Sequence, residues 1–290
     1  MNESNYSSIS EVTIYTCSDC HTSFCIASPV SFCIYCSGRN LSSESMNNFG
    51  SYQVIPFTID LKQACSFYKN KVRFNPLIPL KLRSRSFYSK IRKMYVPCLL
   101  SDFQVDGNII FLGADKIEKI KGMPMQKFEC CYSTQFQYHN ILSCTYSKIG
   151  NELLNAIQDY DFSSLSSVDS SMLKDCFFIK GDLDQNNIVN QIEEKIVKNS
   201  VGIVRGNITH GLKKLNSNQA KVSISSSSCV FVPVYYLNII HKGKNKYYMM
   251  NGQTGKTISD FPISISCFIL FSFIVFSIVF GIISFIFYMI

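Results

Sequence analysis

Two cysteine pairs near the N-terminus constrain this chain more than any other feature. Cys17 and Cys20 form one C-x2-C, Cys33 and Cys36 form a second, and twelve residues separate them. Each C-x-x-C turn sets two thiols on one side of a tight knuckle. Two knuckles joined by a short hairpin make the tetrahedral sulfur cage that zinc prefers, which is the spacing of a zinc ribbon. Four cysteine ligands leave no open coordination position, so the expected Zn2+ is structural and not hydrolytic. Cys25 lies inside the hairpin and reads as a small apolar filler, with substitution as a ligand the alternative. His21, next to the first knuckle, reads as an exposed residue and not a ligand.

The chain has thirteen cysteines, and five of them fall between positions 17 and 36. A secreted disulfide scaffold is the competing reading. The opening MNESNYSSIS is polar and lacks the basic and apolar regions of a cleavable signal peptide, which favours reduced thiols in a reducing compartment.

The other end points the same way. Residues 263–290 are 28 positions without a charge, rich in Phe, Ile and Val. As a helix they would reach about 42 Å, against a hydrocarbon core of about 30 Å, enough to span once with tilt. Lys242, Lys244, Lys246 and Lys256 precede this segment and no charged side chain follows it. The positive-inside tendency then puts the preceding domain in the cytoplasm, a tail-anchored arrangement at the cell membrane.

Charge is local. The formal net charge is +8, but ten of the 28 basic residues lie between Lys62 and Lys93, where no Asp or Glu occurs. Phe67, Tyr68, Phe74, Phe87 and Tyr88 interleave with these cations. Lys81, Arg83, Arg85, Lys90, Arg92 and Lys93 are the candidate contacts to anionic lipid or to nucleic acid. Lipid is served by attraction to headgroups, nucleic acid by phosphate contacts and base stacking. A solvated helix face followed by an exposed loop is the plainer reading.

Along the chain we expect a disordered lead (1–10), the ribbon (11–38), a polar linker (39–50), an α+β domain (51–258) and the transmembrane helix (263–290). The α+β class, mainly antiparallel, follows from its elements. YQVIPF reads as a short strand. Leu61, Ala64, Cys65, Tyr68 and Val72 recur at helical spacing over 60–73, with Asp60 as N-cap. Residues 94–107 read as a strand, a turn and a return strand. A second helix over 188–198 and a hairpin over 231–243 follow. Shifting by 136 residues superposes Tyr95 on Phe231, Val96 on Val232, Pro97 on Pro233 and Gly107 on Gly243, the pattern of two helix-plus-hairpin repeats.

Read in order, these features resemble a known family. They are the paired C-x2-C, then IPF and an amphipathic helix, KMYVPCLLSDFQVDG, the patch Asp159-Tyr160-Asp161-Phe162, VPVYYLNIIHKGKNKYYMMNGQTGK, DFPIS and an apolar tail. The chain is similar over nearly its whole length to the bacterial TFIIB-type zinc-ribbon-containing membrane proteins of low-GC Gram-positive bacteria. Some members are labelled PriA-like helicase or RNA polymerase subunit P. The resemblance implies metal ligation by Cys17, Cys20, Cys33 and Cys36 and carries no settled activity. The helicase label does not transfer, because the chain has no GxxxxGK[ST] loop. The family usually has Gly after the second cysteine of each knuckle. Here His21 and Ser37 hold those positions, and Gly38 comes one place late.

Other motifs carry less. Residues 251–256, NGQTGK, resemble a phosphate loop in composition and read as a β-turn with Gly252 and Gly255 at positive φ. His139, His210 and His241 stand apart from any nucleophile motif, and Cys130-Cys131 with His139 is a remote thiol site. The expected function is therefore a membrane-tethered, non-enzymatic adaptor for a protein partner. Nucleic-acid binding by the ribbon and residues 62–93 is the alternative.

Overall fold

The computed structural model describes residues 12–46, 52–114, 127–208 and 212–289. The expected disordered lead lies outside the described residues. In chain order the elements are β1 (Val12–Cys17), β2 (Ser23–Ile26), β3 (Leu41–Met46), β4 (Gln53–Val54), α1 (Leu61–Arg73), α2 (Arg85–Tyr88), β5 (Arg92–Ala114) and β6 (Lys127–Cys144). Then follow α3 (Gly150–Ile157), β7 (Ser166–Ser167), α4 (Ser170–Asp175), β8 (Phe177–Ile179), α5 (Gln185–Asn207), β9 (Leu212–Asn218), β10 (Lys221–His241), β11 (Lys244–Asn251), β12 (Thr257–Asp260) and α6 (Ile265–Met289). The fold is mixed α+β and divides into two compact units.

The first unit comprises Met1–Pro97, Lys148–Lys180 and Phe231–Ile290. Its strands follow the order β12-β11-β10-β5-β8-β2-β1-β3, to which β10 and β5 contribute one end each. The pairing of β5 with β8 is parallel, and those of β2 with β8, β1 with β2 and β1 with β3 are antiparallel. The strands around the paired cysteines, β1 to β3, are thus not a separate bead: Phe24↔Ile179 and Cys25↔Phe178 join them to the same sheet as β5. The stretch 39–50, expected to be a linker, carries β3 over Leu41–Met46, with Cys17↔Leu41 through Val12↔Met46 in register. Its inner residues are exposed, so backbone pairing with β1 holds it and no apolar alternation marks it.

Helix α1 forms where its local signals place it. The Asp60 carboxylate accepts from the Gln63 amide at 2.7 Å, and the Gln63 side chain accepts from the Asp60 amide at 2.9 Å, a reciprocal capping box. Ala64, Tyr68 and Val72 face a core of Ile78, Leu82, Ile91, Tyr235, Leu237, Ile239, Tyr248 and Met250. A neighbouring core joins Val12 of β1 and Cys25 of β2 to Tyr95, Leu173, Phe178 and Phe231. Phe57 stands edge-on to both Tyr95 and Tyr235, at 5.1 Å between centroids.

The turn at 251–256 differs from expectation in one respect. Gly255 takes φ 78, but Gly252 has no positive φ. Glycine is needed at 252 because a Cβ there would lie 2.4 Å from two Phe57 ring carbons and 2.9 Å from the Pro233 Cβ. Gly252→Ala is expected to cost about 1–3 kcal/mol of overpacking, read as a lower urea midpoint with an unchanged slope. An unchanged midpoint would mean that Phe57 yields freely.

The second unit comprises Cys98–Ser147 and Gly181–Val230. Here β5 pairs antiparallel with β6 and β9, and lies beside β10. Helix α5 packs Ile188, Ile192 and Ile196 against Leu99, Phe103 and Val105, and its last turns place Val204 against Ile109 and Phe111. It runs well past the expected 188–198, since Ser200 and Val204 continue the same buried face at four-residue spacing.

The expected strand, turn and return over 94–107 is one continuous strand. Gly107 lies inside it at φ 143. A Cβ on Gly107 would meet the Gln219 carbonyl oxygen at 2.6 Å, so close backbone approach, and not a turn, requires the glycine. Gly243 does turn: with Lys242 it forms the two-residue loop between His241 and Lys244, both at positive φ. The two glycines superposed by the 136-residue shift therefore hold unlike places.

The last element, α6, has 25 residues and none is buried. It is the one helix among the described residues long and apolar enough to cross a membrane. Its axial length of about 38 Å exceeds a hydrocarbon core of about 30 Å.

Candidate metal centre

The four cysteines of the paired motif come together in one cluster. All four sulfurs lie within 4.8 Å of one another. Cys17 and Cys36 are 3.6 Å apart, as are Cys20 and Cys33. A tetrahedral site with metal–sulfur bonds of about 2.3 Å requires edges of about 3.8 Å. The sulfurs are thus close to the spacing a single ion demands. All thirteen cysteines are free thiols, so nothing here takes the form of the disulfide scaffold weighed above.

The two knuckles are built alike. In the first, the Cys17 amide donates to the Thr22 carbonyl at 3.0 Å and the His21 amide to the Cys17 carbonyl at 2.7 Å. In the second, the Cys33 amide donates to the Gly38 carbonyl at 2.7 Å and the Ser37 amide to the Cys33 carbonyl at 2.9 Å. The turn residue sits in the left-handed region in both, His21 at φ 56 and Ser37 at φ 63. Non-glycine residues at such angles cost roughly 1–2 kcal/mol each, so the missing glycines leave strain in the knuckles without changing their shape. Gly38, one place late, serves a different need. Its amide donates to Cys36 Sγ at 3.3 Å, and a Cβ there would sit 2.1 Å from the Asp19 carboxylate.

Burial and hydrogen bonds pull the thiols of the cluster in different directions. Burial raises the Cys33 thiol well above the usual range and the Cys36 thiol to about 11. For Cys20 burial also pushes upward, but hydrogen bonds with Thr22, Cys36 and Cys33 outweigh it and bring the thiol down to about 7. A divalent ion stabilises all four thiolates at once, which is what such a cluster lacks without one. Outside the cluster, Lys148 donates to the Cys20 carbonyl and, at 2.7 Å, to Thr22 Oγ1, and its ammonium lies 5.2 Å from the Tyr35 ring centre. It stands more than a hundred residues away in sequence, and no local pattern marks it.

Cys25 is not among the ligating sulfurs. It is buried with Tyr95 and Phe178, and burial raises its thiol to about 11. His21 is exposed and also outside the quartet.

The six cations singled out from the basic stretch fall on several local elements, and three of them line two different cavities. Lys81 and Arg83 lie on the 3-10 turn Leu80–Arg83, and Arg85 opens α2. Arg83 lines a cavity of about 320 Å³ with Lys69, Arg73, Tyr68 and Tyr88. Lys90 and Arg92 line a different one, of about 250 Å³, with Arg39, Phe32, Ser37 and Tyr236 beside the second knuckle. Arg92 stacks over Phe32 at 4.8 Å, and desolvation lowers its guanidinium pKa. Lys93 turns aside and stands over Phe57 at 4.7 Å. Arg39 was missed by sequence reasoning, because it lies far from the basic run and meets it only in three dimensions.

The imagined thiol site is not assembled. Cys131 and His139 lie eight positions apart on β6, about 26 Å along a strand. His139 instead lies 3.8 Å from Asp102, His241 ends β10, and His210 falls outside the described residues.

No family model matches the chain, and no solved structure matches it. It is 22% identical over 230 residues to the uncharacterised protein YdjG of Bacillus subtilis (strain 168), covering 77% of this chain and 67% of that one.

Proposed function

We propose that this protein is a membrane-tethered zinc-ribbon adaptor of the TFIIB-type zinc-ribbon membrane protein kind, without catalysis of its own. One observation carries the reading: the unit that holds a closed four-cysteine cage also ends in a 25-residue apolar helix with no buried residue. The cage is full with four sulfurs, so bound Zn2+ stiffens the ribbon and presents it to a protein partner. The helix holds that surface at the membrane. Lys242, Lys244, Lys246 and Lys256 before the helix favour a cytoplasmic domain. The test is crosslinking and pull-down of the full chain from membranes, compared with Cys33→Ser. A partner captured by both forms alike, or by neither, would count against the ribbon as the presenting surface.

The tether has its own test. Val275→Arg with Ile278→Arg places two charges in mid-helix, at about 2.5–3.5 kcal/mol each. The protein is expected to leave the carbonate-resistant membrane fraction. Retention there would refute the span.

The cavity lined by Arg39, Lys90 and Arg92, with no acidic residue on its walls, favours a second reading in which the partner bears phosphates. DNA or RNA binding that weakens with salt, and drops when Arg39, Lys90 and Arg92 are neutralised, would support it. No binding at low salt would remove it.

A further inference from the structure

We infer that the loop following α1 rests on the bilayer surface beside the tether, with Phe74 and Leu80 dipping into an anionic leaflet. The inference depends on α6 crossing a membrane as proposed above. Residues 74–80 are pinned from inside and open outside. Ile78 and Leu82 are buried in the core against Tyr68, and Asn75 Oδ1 accepts from the Leu77 amide at 3.1 Å. Phe74 and Leu80 point away from that core and are 79% and 69% exposed. Scattered exposed apolar residues are ordinary on a protein surface, so exposure alone decides nothing.

Position decides it. The Ser264 amide, one residue before α6, donates to the Leu77 carbonyl at 2.9 Å. Ser264 then starts the helix, its carbonyl accepting from Phe268 at 2.9 Å and its hydroxyl from the Cys267 amide at 3.3 Å. The loop and the membrane helix are therefore joined at the helix mouth. Phe74 and Leu80 are each three residues from Leu77, a reach of at most about 10 Å. Lys71, at the end of α1, donates to Thr257 Oγ1 at 2.8 Å, and Phe261 meets Tyr68 edge-on at 5.8 Å, so the segment entering α6 is packed along the same face.

Charge selects the occupant. Arg73, Lys81 and Arg83 flank the two apolar side chains, all three are exposed, and no acidic residue occurs between Lys62 and Lys93. Two exposed apolar side chains flanked in sequence by cations, at the root of a membrane helix, match a headgroup layer that is anionic outside and apolar beneath.

The chain contains no tryptophan, so single Trp probes report one place each. Full-length Phe74→Trp is reconstituted in vesicles of phosphatidylcholine and phosphatidylglycerol with brominated acyl chains. Leu80→Trp is the second probe and Phe276→Trp, within α6, the control. We expect quenching and a blue shift at positions 74 and 80, and strong quenching at 276. Neutralising Arg73, Lys81 and Arg83 to Gln should cut docking about five-fold per cation removed. Quenching at 276 with none at 74 or 80 would overturn the resting face and leave the tether standing. No quenching at 276 would overturn both. Equal quenching at 74 in vesicles of phosphatidylcholine alone would overturn the anionic commitment.

Discussion

Cys17→Ser should release the metal and open the ribbon end of the first sheet. Wild-type protein purified full-length is expected to carry one zinc per chain, and the variant substantially less. Apparent metal-binding energies of structural zinc sites run to about 10–16 kcal/mol, so losing one thiolate of four removes a large part of what holds the knuckles. Two residues at positive φ add strain that the metal must offset. The damage should spread along a defined route. β2 pairs with β8, and β8 pairs with β5, so hydrogen exchange should quicken first at Tyr15, Phe24 and Phe178. Tyr68 and Tyr248 belong to the other core of the same unit and should remain protected. Cys25→Ala is the contrasting variant: it should keep its zinc and lose only about 1 kcal/mol of core packing. A wild-type protein that is fully folded and metal-free would sink the zinc ribbon; zinc retained in Cys17→Ser would remove Cys17 from the ligand set.

Asn251→Ala should be the most damaging change away from the metal. Asn251 is fully buried. Its side-chain oxygen accepts from the amides of Gln253 at 2.8 Å and Thr254 at 3.1 Å, and its side-chain nitrogen donates to the Ile157 carbonyl at 2.9 Å. One side chain thus shapes the turn and satisfies the end of α3. Truncation strands the Ile157 carbonyl and releases the turn, a loss of about 2–4 kcal/mol. Urea unfolding read by tyrosine fluorescence measures it. Asn251→Asp separates the two roles. A carboxylate keeps the acceptor but opposes the Ile157 carbonyl, so the folded state favours the protonated acid and its pKa rises above the unfolded value of about 3.9. Measured as a difference from wild type, the stability of that variant should therefore be best preserved below about pH 3.9 and fall as pH rises through the folded pKa. A flat pH profile would show that the donor to Ile157 does not matter.

Legibility followed the range of the signal. Asp60 and Gln63 lie three residues apart and declare α1 by themselves, as the uncharged run declares α6. β3 was illegible because its stability comes from pairing with β1 while its four inner side chains are exposed. The false turn at Gly107 came from reading glycine as a bend. The residue is small because the backbone of Gln219 and Ala220 passes over it, and no sequence window contains both. The motif NGQTGK showed a turn by composition, but its centre of gravity, the Asn251 side chain reaching Ile157, spans 94 residues.

By itself, then, the sequence determined the four sulfur ligand candidates, their spacing and the apolar tail, because covalent spacing and an unbroken lack of charge need no partner to be read. Only the tertiary structure decided that the sulfurs close to within 4.8 Å, that His21 and Ser37 accept the glycine conformation, and that Lys148 and Arg39 stand beside the knuckles. It also split the basic stretch between two cavities and tied residues 74–80 to the root of α6. Those outcomes depend on backbone pairing and packing between segments far apart in the chain, and such contacts leave no local pattern to read.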